Sequence, residues 1–185
     1  MARLLDQVAQ TDSLKTMQII EEYTGKSGVK YIFEYSDCDD FSILPIEECR
    51  QTYGVCFCED KIVIGFGGHK NSWGLIGGTI EKGETLDETF AREIQEEANM
   101  EVIKKLPVGY QKVIDTRDNS FVYQLRYVAI TKPFGPFVSD PAGSITEIKH
   151  IDPKDYKQYF NWGKTGERVI QRAVELRNKL LCLTN

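Results

Sequence analysis

The sequence has no long apolar run and no cluster of positive charge. Lysine, aspartate or glutamate interrupts every apolar stretch well before the roughly 18 residues that a membrane-spanning helix needs. With 23 lysines and arginines against 28 acidic residues, the formal net charge is -5, and charges of both signs are spread along the chain. We therefore expect a soluble protein that has no membrane segment and no nucleic-acid polymer as a partner.

The sequence has few histidines, and its cysteines match no zinc-binding pattern and are odd in number for a set of disulfides. The two histidines are far apart in sequence, and the five cysteines are odd in number and match no zinc-site spacing. The chain begins without the positive start and apolar run of a secretory signal. We therefore expect reduced cysteines and a cytoplasmic location. Cys56 and Cys58 share one face of a predicted strand, where small buried side chains are expected.

The N-terminal segment has a pattern different from the rest of the chain. Apolar residues at loosely helical intervals between Leu4 and Tyr23 predict one or two helices, which end at a glycine-containing turn at residues 25–28. We assign residues 1–28 to an N-terminal helical extension and residues 29–185 to the main domain.

The main domain alternates strands with helices. Alternating apolar and β-forming residues predict strands at residues 29–35, 53–58, 61–66, 101–115, 121–131 and 145–151. A glycine-rich loop is expected at residues 67–83, and helices at residues 85–98 and 166–183. Strands lie on both sides of the first helix, so the order favours a mixed sheet between helices in an α/β or α+β fold.

A capping box fixes the start of the helix at residues 85–98. Thr85 is followed three residues later by Glu88, the spacing at which both side chains satisfy free backbone N–H groups. At about 100° per residue, Glu93 and Glu97 flank the apolar stripe of this helix and do not point directly away from it. We therefore expect both carboxylates to lie close to the buried face.

Glu93, Glu96 and Glu97 place three negative charges on one turn of this helix. At about 6 Å and an effective dielectric constant of about 20, each repulsion is of order 3 kcal/mol before screening. A bound cation would turn that repulsion into affinity, and oxygen-only ligands suit Mg²⁺ or Mn²⁺. For any single glutamate, a solvated acidic helix face is the alternative explanation.

Glycines before the helix and one arginine on it complete the pattern. Gly77, Gly78 and Gly83 allow the backbone to approach a metal or a phosphate closely. Arg92 can pair with Glu84 or with a neighbouring glutamate and so orient the acidic cluster. The joint spacing of these residues with the three glutamates distinguishes the segment from an ordinary acidic helix.

This segment resembles the Nudix box, in which a glycine, five residues, a glutamate and seven residues lead to Arg-Glu-aliphatic-any-Glu-Glu-any-Gly-aliphatic. Counted from Gly78, every fixed charged position is present. Asn99 stands where the box has its last glycine, a helix C-cap position that asparagine also tolerates. Ile76 replaces a proline that is common before the paired glycines. The resemblance extends over roughly residues 29–183 and implies the α/β/α sandwich of that family.

The resemblance also implies roles for individual residues. The expected ligands of Mg²⁺ or Mn²⁺ are Glu93, Glu96, Glu97 and the backbone carbonyl of Gly77. Glu84 and Arg92 would orient these carboxylates. In some family members a glutamate of the box is the general base, and in others a glutamate from a later loop is. The base therefore stays open between Glu93 or Glu97 and Glu147, which precedes the C-terminal helix.

The reaction that the resemblance implies is the attack of a metal-activated water on phosphorus. The substrate would be a nucleoside diphosphate linked to another group, such as a nucleoside triphosphate or a nucleotide sugar, and both products would be phosphorylated. The candidate contacts to this small-molecule substrate are Gly78, Lys70, Arg117 and Arg126.

Two other functions stay open. A Nudix-fold protein that binds a nucleotide and regulates a partner without hydrolysis would not need the intact acidic cluster. The predicted N-terminal helices offer a surface for such a partner or for a homodimer. An isomerase of the same fold, acting on an isoprenoid diphosphate, would require a cysteine and a glutamate in the pocket, and Cys56 or Cys58 would have to be that cysteine.

Overall fold

The computed structural model describes residues 18–25 and 27–182. The elements of this part of the chain are strands β1 (Gln18–Thr24), β2 (Lys30–Asp37), β3 (Cys49–Cys58), β4 (Lys61–Gly67) and β5 (Ser72–Thr79), helix α1 (Leu86–Ala98), strands β6 (Met100–Asp115), β7 (Phe121–Pro133) and β8 (Ile145–Ile151), and helix α2 (Gly163–Cys182). Short 3-10 helices lie at Phe41–Ile43, Ile46–Glu48 and Pro153–Gln158.

The strands form one mixed sheet in the order β1-β2-β6-β7-β3-β5-β4-β8. Neighbouring strands are antiparallel except for β3 and β7, which pair in parallel from Cys49 to Phe57. Side chains alternate between the two faces of a strand, so Val55 and Phe57 enter the core beneath α2, while Cys56 enters the core beneath α1. The predicted α/β/α sandwich is confirmed.

Helix α1 packs closely on the centre of the sheet. Its buried residues include Phe90 and Ile94, and the Phe90 ring lies 4.7 Å from the Tyr127 ring of β7. A Cβ atom at Gly54 would lie 2.7 Å from both Cys56 Sγ and the Phe90 ring, so a larger residue in β3 would displace the helix. Each such buried side chain stabilises the fold by roughly 1.5–3 kcal/mol. This packing fixes α1 against the strands that bear the site.

The predicted N-terminal helices are wrong where the structure describes that segment. Residues 18–24 form β1, which pairs antiparallel with β2 from Gln18 opposite Ser36 to Thr24 opposite Lys30. Pairing with a neighbouring strand outweighs a loose helical periodicity, because every residue of β1 faces a partner in the ladder. Residues 1–17 lie outside the described part, and the domain boundary at residue 28 stays a prediction.

The predicted glycine-rich loop at residues 67–83 contains a strand. β5 pairs with β3 from Gln51 opposite Thr79 to Gly54 opposite Ile76, and with β4 from Ile64 opposite Leu75 to Gly67 opposite Ser72. Its glycines weaken the strand signal in the sequence, but hydrogen bonding to two neighbouring strands compensates for their low propensity.

The remaining elements agree with the sequence. The hairpin predicted around Glu59 and Asp60 is present, with Cys58 opposite Lys61, and β8 has the predicted bounds. Helix α2 begins three residues earlier than expected, at Gly163. All five cysteines are free, as predicted. Within residues 18–25 and 27–182, no helix is both long and apolar enough to span a membrane.

Candidate active site

Arg92 is the centre of an ionic cluster on α1. Its Nε and Nη2 donate to the two oxygens of Glu84 at 2.7 and 3.0 Å. Its Nη1 donates to Glu93 Oε1 at 2.9 Å and to Glu96 Oε2 at 3.0 Å. The hydrogen bonds from Arg92 hold the pKa of Glu84 at about 2. The structure therefore brings together Glu84, Arg92, Glu93 and Glu96, all of which the sequence singled out.

Glu93 and Glu97 are buried, each with 8% of its surface exposed. Glu97 Oε2 accepts a hydrogen bond from the Gly77 N–H at 2.8 Å, which ties the end of α1 to β5. Burial raises the pKa of Glu97 to about 7, although this hydrogen bond and one from Ser144 oppose the shift. Burial also raises the pKa of Glu93. Two carboxylates are thus held where water stabilises their charge poorly.

The paired glycines of β5 lie directly against this cluster. A Cβ atom at Gly78 would lie 2.5 Å from Glu93 Oε1, so only glycine leaves room for the carboxylate there. Gly77 has a φ of +138° and faces Tyr53 in β3, and a Cβ atom on it would lie 2.7 Å from Tyr53 Cα. Both glycines therefore lie at points of close approach, to the Glu93 carboxylate and to the β3 backbone, while the predicted approach to a metal or a phosphate stays a prediction.

A loop between β7 and β8 holds Glu97 from the other side. The Ser144 hydroxyl lies 3.1 Å from Glu97 Oε1 and 2.5 Å from Asp140 Oδ2. Asp140 is buried and accepts backbone N–H groups of Ala142, Ser144 and Ile145 at 2.8 to 2.9 Å. The prolines and glycine of residues 133–143 predict a surface loop here, but Asp140 and Ser144 were not singled out from the sequence, because their link to Glu97 joins distant parts of the chain.

A cavity of about 800 Å³ opens beside Glu97 on the α2 face of the sheet. Arg126 lines it with only 5% of its surface exposed, and its guanidinium lies 4.8 Å from the Tyr53 ring centroid. Among the residues that the structure describes, no carboxylate is within ion-pair distance of Arg126, whose pKa is lowered by burial. Exposed Lys70 also lines the cavity. The guanidinium donates to Gln124 Oε1 at 2.9 Å but has no negatively charged partner, so it is suited to an anionic ligand.

Several predicted residues lie away from this cavity. Arg117 is at the end of the β6–β7 hairpin, where Asp115 holds its guanidinium through Nη2 at 2.6 Å. Glu147 is exposed on β8 and lies 3.5 Å from Lys149 Nζ. Neither residue lines the cavity, and neither do Cys56 and Cys58. Cys56 is instead packed in the core beneath α1, which leaves the isomerase alternative without its cysteine.

The acidic cluster fits a hard dication in its donor chemistry. Its acceptor atoms are all carboxylate oxygens, the donors that Mg²⁺ and Mn²⁺ prefer, and Glu93 and Glu97 are buried, with Arg92 in contact with Glu93. In this arrangement Arg92 bridges Glu93 and Glu96, while Glu97 turns to Gly77. Accordingly, no group of three acidic, histidine or cysteine side chains in the described part of the chain converges on one point.

The model of the NUDIX domain family matches residues 41–172, well over half of the chain. The chain therefore belongs to the Nudix family, whose members are hydrolases that act on pyrophosphate bonds. A search of curated protein sequences finds no match.

Solved structures support the same fold. The pyrophosphohydrolase BsRppH of Bacillus subtilis has a TM-score of 0.55 and 14% identity, over 71% of this chain and 77% of that one. A NUDIX hydrolase from Nitrosomonas europaea has a TM-score of 0.55 and 14% identity, over 67% and 87%. The MutT NUDIX hydrolase of Burkholderia pseudomallei has a TM-score of 0.53 and 15% identity, over 66% and 96%. At these identities the likeness concerns the fold alone.

Proposed function

We propose that the protein is a Mg²⁺- or Mn²⁺-dependent hydrolase that cleaves the pyrophosphate bond of a nucleoside diphosphate linked to another group. One observation carries the proposal: the buried carboxylate of Glu97 and the buried, unpaired guanidinium of Arg126 line the same cavity. A dication held by Glu97 and the positive charge of Arg126 itself would together neutralise a diphosphate.

The metal ligands in this proposal are Glu93, Glu96, Glu97 and the Gly77 carbonyl. When bound, the dication would neutralise phosphate charge and lower the pKa of a water. Arg92 and Glu84 are positioning residues, because Glu84 and the Thr79 carbonyl accept three hydrogen bonds from Arg92 independently of the ligands. This anchoring keeps the guanidinium in place when the carboxylates take up a metal.

We assign the general base to Glu97 rather than to Glu147. Glu97 lines the cavity, and the Gly77 N–H fixes its Oε2. Its Oε1 would take the proton, because the neighbouring Ser144 hydroxyl has a single proton and can donate it to Asp140 instead. Glu147 is exposed and paired with Lys149, so it would have to leave that contact and move to reach the cavity. A base must lie within hydrogen-bond reach of the attacking water, directly or through one more water.

The substrate phosphates would contact Arg126 and Lys70, with Gly78 giving close access to the metal. Arg126 is the stronger candidate because its position is fixed by burial and by stacking on Tyr53. Arg117 has no part in this proposal, since it lies at a hairpin end and is paired with Asp115.

The experiment is a panel of nucleoside triphosphates, nucleotide sugars and dinucleotides incubated with Mg²⁺ or Mn²⁺, read as phosphate released after phosphatase coupling. We expect metal-dependent turnover of at least one compound and its loss in Glu97→Gln. The matched control is Glu101→Gln, which changes an exposed glutamate just beyond α1. Full activity of Glu97→Gln would overturn the site assignment.

A nucleotide-binding regulator without hydrolysis is the second candidate. It is favoured by one observation, that the described carboxylates do not converge on one point. This function would be supported if the wild-type protein binds a nucleotide but hydrolyses none of the compounds in the panel. A homodimer and a cytoplasmic location stay predictions.

A further inference from the structure

The side chain of Gln111 in β6 has no hydrogen-bond partner among residues 18–25 and 27–182. The residue is 7% exposed and lines the cavity, yet its amide makes no hydrogen bond to any described residue. Its neighbour across the ladder, Gln124, is by contrast engaged on both sides, donating to Gln51 at 2.7 Å and accepting from Arg126 at 2.9 Å. The amide of Gln111 is not fully buried but is accessible from the cavity, so a ligand bound there can satisfy its donor and acceptor.

The sheet places Gln111 at a defined position relative to the catalytic groups. Gly77 faces Tyr53, Tyr53 faces Arg126, and Gln111 faces Gln124, two residues from Arg126 on the same strand face. Gln111 is thus the diagonal neighbour of Arg126, at about 7–8 Å. Three strand steps of about 4.8 Å separate β6 from β5, and the offset of two residues adds about 7 Å along the strand, which places Gln111 roughly 16 Å from Gly77. An extended nucleoside diphosphate spans a distance of this order.

The stacked rings of Phe33 and Tyr23 lie on the same side of the cavity as Gln111 and form an aromatic wall. Phe33 of β2 is its diagonal neighbour on the other side, because Gln111 faces Tyr35 in the β2–β6 ladder. The Phe33 ring stacks on the Tyr23 ring of β1, with centroids 5.4 Å apart and an interplanar angle of 17°. Both rings line the cavity. A planar amide next to flat aromatic rings complements a flat heterocycle that carries hydrogen-bonding edges.

We propose that Gln111 reads the nucleobase of the substrate, and that Phe33 and Tyr23 form the wall beside the base. The inference rests on the proposed function, in which Glu97 and Arg126 hold the diphosphate. The amide offers one donor edge and one acceptor edge, so it matches a base that presents a neighbouring acceptor and donor. A diphosphate with no base has nothing to satisfy this amide.

Binding of uncleavable analogues tests the inference without turnover. The probes are the α,β-methylene analogues of ADP, GDP, CDP and UDP, with methylenediphosphonate as the probe that has no base, all in millimolar Mg²⁺. Both tryptophans of the chain, Trp73 and Trp162, line the cavity, so their fluorescence in the full-length protein reports binding. Gln111→Met keeps the length of the side chain and removes its hydrogen-bonding groups, and Gln171→Met makes the same change at an exposed position of α2.

In the wild type we expect at least one nucleoside analogue to bind tenfold or more tightly than methylenediphosphonate. Gln111→Met should weaken that analogue by roughly 5- to 150-fold, the range for a bidentate amide contact to a base, and leave methylenediphosphonate unchanged. Gln171→Met should match the wild type. Equal binding of all five probes by the wild type would overturn the inference whether or not the variant folds.

Two results with Gln111→Met would also overturn the inference. One is an unchanged preference for a nucleoside analogue over methylenediphosphonate, and the other is an equal loss of affinity for every probe. These outcomes are separate from failure of the proposed function. If the proposed function fails, the protein would still bind the analogues with a preference for one base but would hydrolyse no cleavable substrate.

Discussion

Gly78 of β5 lies so close to Glu93 of α1 that a Cβ atom at position 78 would be 2.5 Å from the carboxylate oxygen. The group that would have to move is the far end of a flexible side chain and not the backbone, so we expect Gly78→Ala to fold with a melting temperature close to that of the wild type. The displaced carboxylate should lower metal affinity and turnover tenfold or more. Thermal unfolding and activity measured on the same preparation check both parts.

Gly77→Ala provides the contrast to this variant. Its Cβ atom would meet the backbone of Thr52 and Tyr53, and its φ of +138° is strained for alanine. We expect Gly77→Ala to lower the free energy of unfolding by several kcal/mol, whereas Gly78→Ala should lower metal affinity and turnover without this loss of stability. Equal stability losses at both positions would contradict the separate roles.

Asp140 and Ser144 are predicted to hold Glu97 in place through different contacts. Ser144→Ala removes one hydroxyl beside Glu97 and should lower turnover with a stability loss of about 1 kcal/mol or less. Asp140→Asn removes the charge that accepts three backbone N–H groups and should cost about 1–3 kcal/mol in unfolding free energy. Denaturant unfolding with parallel assays measures both effects, and full activity in Ser144→Ala would exclude a positioning role.

Arg126 is predicted to serve binding at the expense of stability. Its guanidinium is buried without a carboxylate partner, so a methionine of similar length removes a poorly solvated charge while preserving packing against Tyr53. We expect Arg126→Met to melt at or above the wild-type temperature and to bind diphosphates at least tenfold more weakly. A clear loss of stability with unchanged binding would make Arg126 a structural residue.

The parts of this fold that sequence predicts best carry local signals. The capping box of Thr85 and Glu88 is present, and it fixes where α1 begins. Asn99 has the left-handed conformation, with a φ of +54°, that explains why it can replace glycine at the end of the box. The bounds of β8 were also predicted correctly, and its three isoleucines, spaced three apart, place Ile148 and Ile151 in the cores on opposite faces of the sheet.

Features that depend on distant neighbours could not be predicted in this way. β1 is a strand because β2 lies beside it, and β5 is a strand despite its glycines because β3 and β4 lie on either side. Gln111 stands on a correctly predicted strand, yet only the assembled sheet shows that its amide faces a cavity. The acidic cluster was found because one helical turn brings its members together.

Mg²⁺ should stabilise the folded protein. Glu93 and Glu97 are forced together and buried only in the folded state, so a dication that binds them there shifts the unfolding equilibrium. At ten times its Kd, the metal should add about 1.4 kcal/mol to the unfolding free energy. For a chain of this size that corresponds to a rise in melting temperature of about 3–6 °C. Identical melting curves with and without millimolar Mg²⁺ would contradict this expectation.

The most direct test of the account is a titration of the protein with Mn²⁺, in which free ion is read by electron paramagnetic resonance. The wild type and Glu101→Gln should each bind Mn²⁺ with equal affinity, and Glu97→Gln should bind at least tenfold more weakly. If the wild type takes up no Mn²⁺, or if Glu97→Gln binds as tightly as Glu101→Gln, the acidic turn of α1 is not a metal site and the proposed hydrolysis loses its basis.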